Sequence, residues 1–63
     1  MVFPNPVSDV LHLQEKVGYK ILNSYGSVVD EGEGDVIDVR QLKSGMYIMN
    51  LPDLGTTLQF IKL

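Results

Sequence analysis

Turn-forming residues interrupt this chain at intervals of about 8–12 residues, the spacing found in small all-β domains. Glycine, proline, asparagine and aspartate form the interruptions, and the runs between them are rich in β-branched and aromatic residues. None of these runs repeats its apolar residues at the 3.6-residue period of a helix. The sequence therefore predicts an all-β, antiparallel fold of about six short strands in two layers.

The predicted strands are separated by three turns with different chemistry. Residues 23–26 form a turn with Gly26 at positive φ, residues 31–35 form an acidic, glycine-spaced hairpin loop, and residues 52–55 form a Pro/Gly turn. Leu42 is predicted to anchor a corner of the chain, and Gly45 is predicted to allow the backbone to turn from this corner into the next strand. The strands are predicted at residues 8–14, 17–23, 28–30, 36–39, 46–51 and 56–63. Residues 46–51 are apolar on both faces, which predicts a central strand with a layer on either side.

The length of 63 residues allows one domain at most and a core of limited size. The chain has no cysteine, so no disulfide can compensate for a small core. The core must therefore be densely packed, or contacts with a neighbouring domain must stabilise the fold.

The charge of the chain argues against nucleic acid as a partner. The formal net charge is −3, and the five basic residues are dispersed along the chain instead of forming a patch. The longest apolar run has four residues, far fewer than the roughly 20 that cross a bilayer. No charged-then-apolar leader opens the chain, so we expect any export leader to belong to a longer precursor.

No group of residues in the sequence has the pattern of a catalytic or metal site. His12 is the single histidine and has no acid and nucleophile arranged around it, so we interpret it as a half-exposed strand residue. The acidic run over residues 30–38 could bind Ca²⁺, but its spacing matches no EF-hand loop, and a solvated hairpin tip is the better interpretation. We therefore predict a protein that is not an enzyme, with no catalytic residue, metal site or cofactor.

Four short motifs occur in a characteristic order. They are Pro4-Asn5-Pro6, Ile21-Leu22-Asn23-Ser24-Tyr25-Gly26, Leu42-Lys43-Ser44-Gly45-Met46-Tyr47 and Phe60-Ile61-Lys62-Leu63. As an ordered set they resemble the C-terminal sorting domain of the type IX secretion system. The resemblance covers essentially the whole chain and implies an immunoglobulin-like β-sandwich of about six or seven short strands. The chain departs from the family pattern by ending in Leu63 after a single basic residue.

The resemblance also implies a function for residues 1–63 as a single C-terminal sorting domain, excised from or fused behind a larger secreted cargo. The cargo would pass through the periplasm to the cell surface or the medium, the outer-membrane translocon would recognise the domain, and a sortase-like peptidase would remove it. The residues implied in recognition are Phe60, Ile61, Lys62 and Leu63, with Pro4, Asn5 and Pro6. The residues implied in determining the fold are Gly26, Leu42, Gly45 and Tyr47.

Several interpretations remain open at this level. The Pro4-Asn5-Pro6 segment is either a rigid lead-in that stops sheet growth or a rigid recognition element. The last strand, at a sheet edge, could accept a partner strand, and edge strands could also form a homodimer. The alternative function is an immunoglobulin-like adhesive or glycan-binding module, for which Tyr25 is the best exposed candidate.

Overall fold

Residues 6–63, described by a computed structural model, form one antiparallel sheet of four strands. In chain order these are β1 (Val10–Leu22), β2 (Val28–Asp38), β3 (Gly45–Leu51) and β4 (Thr56–Lys62), with one turn of 3₁₀ helix at Pro52–Leu54. Their order across the sheet is β2-β1-β3-β4, so β2 and β4 lie at the edges and β3 is central, as predicted. Within residues 6–63, no helix combines the length and the apolar character that a membrane crossing requires.

The all-β prediction is confirmed, but the six or seven short strands are four longer ones in this part of the chain. The predicted strands 8–14 and 17–23 belong to the single strand β1, and 28–30 and 36–39 belong largely to β2. The register explains the difference: His12 pairs with Val36 and Val17 pairs with Gly34, so a shift in register absorbs residues 13–16 opposite Asp35 without ending the strand. A second sheet does not form within residues 6–63.

The prediction of a hairpin loop at residues 31–35 is wrong, because these residues lie inside β2. Gly32 pairs with Tyr19 on β1, and a Cβ atom on Gly32 would lie 3.0 Å from the Tyr19 hydroxyl oxygen. The tyrosine ring therefore occupies the space that a side chain at position 32 would need. This glycine permits a close approach between two strands and does not mark a turn.

The other two predicted turns are confirmed. The side-chain Oδ1 of Asn23 accepts hydrogen bonds from the backbone N–H groups of Tyr25, at 2.9 Å, and Ser27, at 3.0 Å. This arrangement closes the β1–β2 connection, and Gly26 follows with φ 84°. Between β3 and β4, Gly55 has φ 62° and its N–H donates to the carbonyl of Pro52 at 3.1 Å.

The core lies against one face of the sheet, which we call the inner face. Ile21 of β1 and Met49 of β3 pair directly on this face and are fully buried. Connecting segments cover it: Val7 comes from the segment before β1, and Val39 and Leu42 come from the β2–β3 connection. The buried cluster consists of Val7, Leu11, Val17, Ile21, Ile37, Val39, Leu42, Tyr47, Met49, Leu51 and Phe60. A single sheet covered by its own connections thus replaces the expected two-sheet arrangement.

Gly45 begins β3 with φ 150°, a backbone angle that L side chains rarely adopt. A Cβ atom there would meet no neighbour within 4 Å, so only backbone strain opposes a larger residue. We expect Gly45→Ala to lower the free energy of unfolding by about 1–3 kcal/mol. Ser44→Ala, next to it and exposed, is the control and should cost about 0.5 kcal/mol or less. Urea unfolding of both variants measures the difference, and equal midpoints would show that the backbone angle at Gly45 is not strained for alanine.

Candidate recognition surface at the terminal strand

The last strand, β4, divides the four predicted recognition residues between its two faces. Phe60 is 1% exposed and Lys62 is 8% exposed, so both side chains face the core. Ile61 and Leu63 alternate with them and are 45% and 64% exposed. Because successive side chains of a strand point to opposite faces, only this second pair is presented to a partner.

Phe60 contributes to the core through a specific aromatic contact. Its ring stacks on that of Tyr47, with centroids 5.6 Å apart and an angle of 20° between the ring planes. These two residues are direct cross-strand partners on β3 and β4. An offset stack of this kind adds about 0.5–1.5 kcal/mol to the burial of the two rings.

Lys62 is buried although its side chain is charged. Its Nζ donates to the backbone oxygen of Leu63 at 3.2 Å, and the residue as a whole is among the buried ones. A lysine of this kind buries its aliphatic stem and keeps the ammonium group near the surface. The side chain therefore supports the end of β4 as well as placing a positive charge there.

The sequence predicted that the outer edge of β4 is open to a partner strand. The end of this edge is instead already paired. The N–H of Val7 donates to the carbonyl of Ile61 at 2.8 Å, and the N–H of Leu63 donates to the carbonyl of Val7 at 2.8 Å. These bonds form a parallel bridge between Val7 and Lys62. Since they occupy backbone groups that a partner strand would need, strand addition at this point requires the displacement of Val7.

The Pro-Asn-Pro motif lies only partly within the described residues. Pro6 is exposed and directly precedes the buried Val7. Proline has no N–H to donate to a ladder, so the motif ends where the contact with β4 begins. Pro4 and Asn5 lie outside residues 6–63.

Two of the residues predicted to determine the fold, Leu42 and Tyr47, hold the β2–β3 connection against the start of β3. The Tyr47 hydroxyl donates to the carbonyl of Lys43 at 2.7 Å, which ties the strand to the connection that precedes it. Leu42, in that connection, is 9% exposed and its N–H donates to the carbonyl of Val39 at 3.1 Å. Because Tyr47 also stacks on Phe60, this corner and the terminal strand are held by one set of contacts.

The acidic residues of β2 lie along a strand and do not converge. Glu31 is opposite Lys20 and Glu33 is opposite Gly18, both on the face away from the core. His12 is half-buried opposite Val36, as the sequence suggested. Among residues 6–63, no three His, Asp or Glu side chains are close enough to hold a metal ion.

The tyrosines near the first turn differ in exposure. Tyr25, at the tip of the β1–β2 connection, is 91% exposed, as predicted. Tyr19 is half-buried, and this burial, with a smaller effect from the charge of Asp30, raises the pKa of its hydroxyl above the usual 10.0. Tyr25 is therefore the tyrosine that offers an open ring face to a ligand.

Comparison with family models gives the decisive observation. Residues 1–62 match the model of the secretion system C-terminal sorting domain. The chain belongs to this family. The family consists of type IX sorting signals and is not a catalytic family. No curated protein and no solved structure is significantly similar to the chain.

Membership of the sorting-domain family has direct consequences for partners and location. A sorting domain acts on a cargo that is fused to it, and it engages the type IX machinery. It directs that cargo through the outer membrane to the cell surface or into the medium.

Asp38 and Arg40 of the sorting domain form an exposed ion pair, which we call the surface clamp and which the sequence did not predict. Arg40 binds Asp38 through two parallel contacts, Nε to Oδ1 at 3.0 Å and Nη2 to Oδ2 at 2.8 Å. The Arg40 N–H also donates to Oδ1 at 3.0 Å. The only sequence signal was the Asp-Val-Arg spacing at the end of a strand, which many exposed segments share.

The clamp predicts a specific titration. Side-chain and backbone hydrogen bonds from Arg40 lower the pKa of Asp38 from 3.8 to about 2. A lowered pKa in the folded state stabilises the fold above pH 3.8, and this contribution is lost as the pH falls from there through about 2. We expect an NMR titration of the Asp38 carboxyl to give the low value, and Arg40→Gln to return it towards 3.8. An unchanged pKa in Arg40→Gln would mean that the guanidinium does not cause the shift.

Proposed function

We propose that this chain is a non-enzymatic sorting signal that the outer-membrane type IX translocon recognises in its folded form. The family match over residues 1–62 is the observation that carries the proposal. In the proposed role the chain is a ligand throughout, and it directs a fused cargo to the cell surface.

Recognition is proposed to depend on the outward side chains of the terminal strand. Ile61 and Leu63 are the exposed members of the last motif, and apolar side chains of this kind gain binding energy when a partner covers them. Phe60 and Lys62 act by holding the strand in place. The Pro4-Asn5-Pro6 motif is a second contact in this proposal; of its residues, the described Pro6 lies close to the end of β4, because the next residue, Val7, bridges to Lys62.

The removal of the signal is proposed to occur outside the folded residues. A peptidase needs an extended segment in its cleft, whereas most of residues 10–62 lie in paired strands. A sortase-like peptidase would therefore cut upstream of the sheet, after transit of the precursor through the periplasm. The cargo would then remain at the surface or be released.

A truncated fusion tests the proposal. Residues 1–63 are fused behind a periplasmic reporter in a host with the type IX pathway, and surface display is compared with that of a fusion lacking residues 60–63. We expect display of the full fusion and loss of display on truncation. Display that survives the truncation would contradict the role of the terminal strand.

An adhesive or glycan-binding module is the alternative that the exposure of Tyr25 favours. Sugar rings stack on open aromatic faces, and this ring is 91% exposed. Binding of the chain to a glycan array that is lost in Tyr25→Ala would support this function. Array binding that is absent, or unchanged in the variant, would remove it.

Homodimer formation through the edge strands is an independent proposal. β2 and β4 are the edges of the sheet, and edge strands tend to pair between copies. A mass in light scattering that stays monomeric at all concentrations would overturn it.

A further inference from the structure

The face of the sheet opposite the core carries a continuous apolar band. On β3, Met46 and Ile48 alternate with the buried Tyr47 and Met49 and therefore point to the outer face. On β4, Ile61 points the same way because Phe60 beside it is buried.

Cross-strand pairing places these side chains next to one another. Ile61 pairs with Met46, Ile48 pairs with Leu22, and Leu22 pairs with Val28. Ile48 also lies two residues from Met46 on the same strand and the same face, so it joins the Ile61–Met46 pair to the other two side chains. We call this band the outer stripe; it consists of Val28, Leu22, Ile48, Met46 and Ile61 and crosses all four strands.

The apolar character of the outer stripe is not explained by packing in the core, because none of its residues belongs to the buried cluster. The apolar pattern of residues 46–51 predicted a layer on both faces of β3, but the described connections supply buried residues only to the inner face. Val28 is 52% exposed and Met46 is 53% exposed. Contiguous apolar patches, unlike single exposed apolar residues, are often functional surfaces.

We propose that the outer stripe is the docking surface for a protein of the type IX machinery that presents an apolar ridge flanked by basic side chains. This inference rests on the proposed function and extends its contact from the end of β4 across the sheet. Ile61 belongs both to the terminal motif and to the stripe, so a partner that covers this residue lies directly over Met46.

The area of the stripe argues against a second copy of the chain as the occupant. A stable protein–protein interface buries about 800 Å² on each partner, which is roughly a fifth of the 4058 Å² surface of the chain. Five partly covered side chains expose only a few hundred Å². A larger partner that also contacts the exposed Leu63 can supply the remaining area.

The charges around the stripe indicate which charges a partner should carry. Glu31 and Glu33 continue along β2 on the same outer face. Glu31 is opposite Lys20, whereas Glu33 is opposite Gly18, which brings no compensating charge. The chain has a formal net charge of −3, which opposes association with its own copies. A partner with lysine or arginine beside its apolar ridge would be complementary.

The test compares two pairs of variants in the reporter fusion of residues 1–63. Val28→Lys in the stripe is matched by Val36→Lys, the same change on the same strand at 55% exposure. Met46→Lys in the stripe is matched by Leu54→Lys, at 48% exposure in the β3–β4 connection. Protease resistance of the fused domain is measured for each variant to verify folding, and surface display is the readout.

We expect each stripe variant to lose display by about tenfold, as when an interface contact worth about 1.4 kcal/mol is lost, and each matched variant to stay within about twofold. Stripe variants that are folded and displayed like their matched controls would overturn the stripe while leaving the proposed function standing. Equal losses in stripe and control variants would also overturn it, because the effect would not be local. Failure of the unmodified fusion to reach the surface would contradict the proposed function itself.

Discussion

Replacing Phe60 with alanine is expected to unfold a large share of the molecules. The side chain is 1% exposed and stacks on Tyr47, so its removal leaves a cavity in the core. Truncation of a buried phenylalanine costs about 3–5 kcal/mol. A domain of 63 residues has a total stability of only about 3–9 kcal/mol. The change therefore removes a third or more of the stability, and no disulfide compensates for it.

Ile61→Ala is the matched control for this prediction. Ile61 is the next residue along the same strand, but it is 45% exposed on the opposite face. Its truncation should cost about 1 kcal/mol or less. Urea unfolding followed by circular dichroism measures both variants. Similar midpoints for the two would contradict the assignment of Phe60 to the core.

Replacing Ile61 with lysine is expected to have the largest effect on export. The substitution puts a charge at the exposed end of the outer stripe, where the proposed partner makes an apolar contact. We expect surface display to fall at least about tenfold, as when an interface contact worth about 1.4 kcal/mol is lost. The stability should change little, since the side chain is outside the core.

Thr57→Lys supplies the control for export. Thr57 lies on the same strand and the same outer face, is exposed, and pairs with Asn50 instead of an apolar residue. Its lysine variant should be displayed like the unmodified fusion. This pair is sharper than the truncation of residues 60–63, because the truncation also removes the core residue Phe60. Equal display of the two lysine variants would contradict recognition through Ile61.

The turns were the part of the fold that local sequence could predict. Asn23 with Gly26, and Pro52 with Gly55, have side chains and backbone angles that act within four residues, so their chemistry is visible in the sequence. Gly32 gave the same signal for a different reason, since it accommodates the ring of Tyr19 from another strand. That contact joins residues distant in sequence, and a local pattern cannot distinguish it from a turn.

The residues of the candidate site were proposed from the sequence, but their arrangement in the fold was not predicted. The terminal motif was placed correctly on an edge strand, and alternation separates its inward and outward residues. The contact of Val7 with β4 could not be inferred, because it depends on how the two ends of the chain meet. The outer stripe was hidden for a related reason: an apolar pattern on both faces of β3 does not reveal which face the connections cover.

The proposed function requires that this folded chain by itself directs a fused cargo into type IX export. The direct measurement is surface fractionation of a reporter fused to residues 1–63, in a host with the type IX translocon and in the same host without it. We expect reporter at the surface only when the translocon is present. Reporter at the surface in both hosts, or in neither, would contradict it.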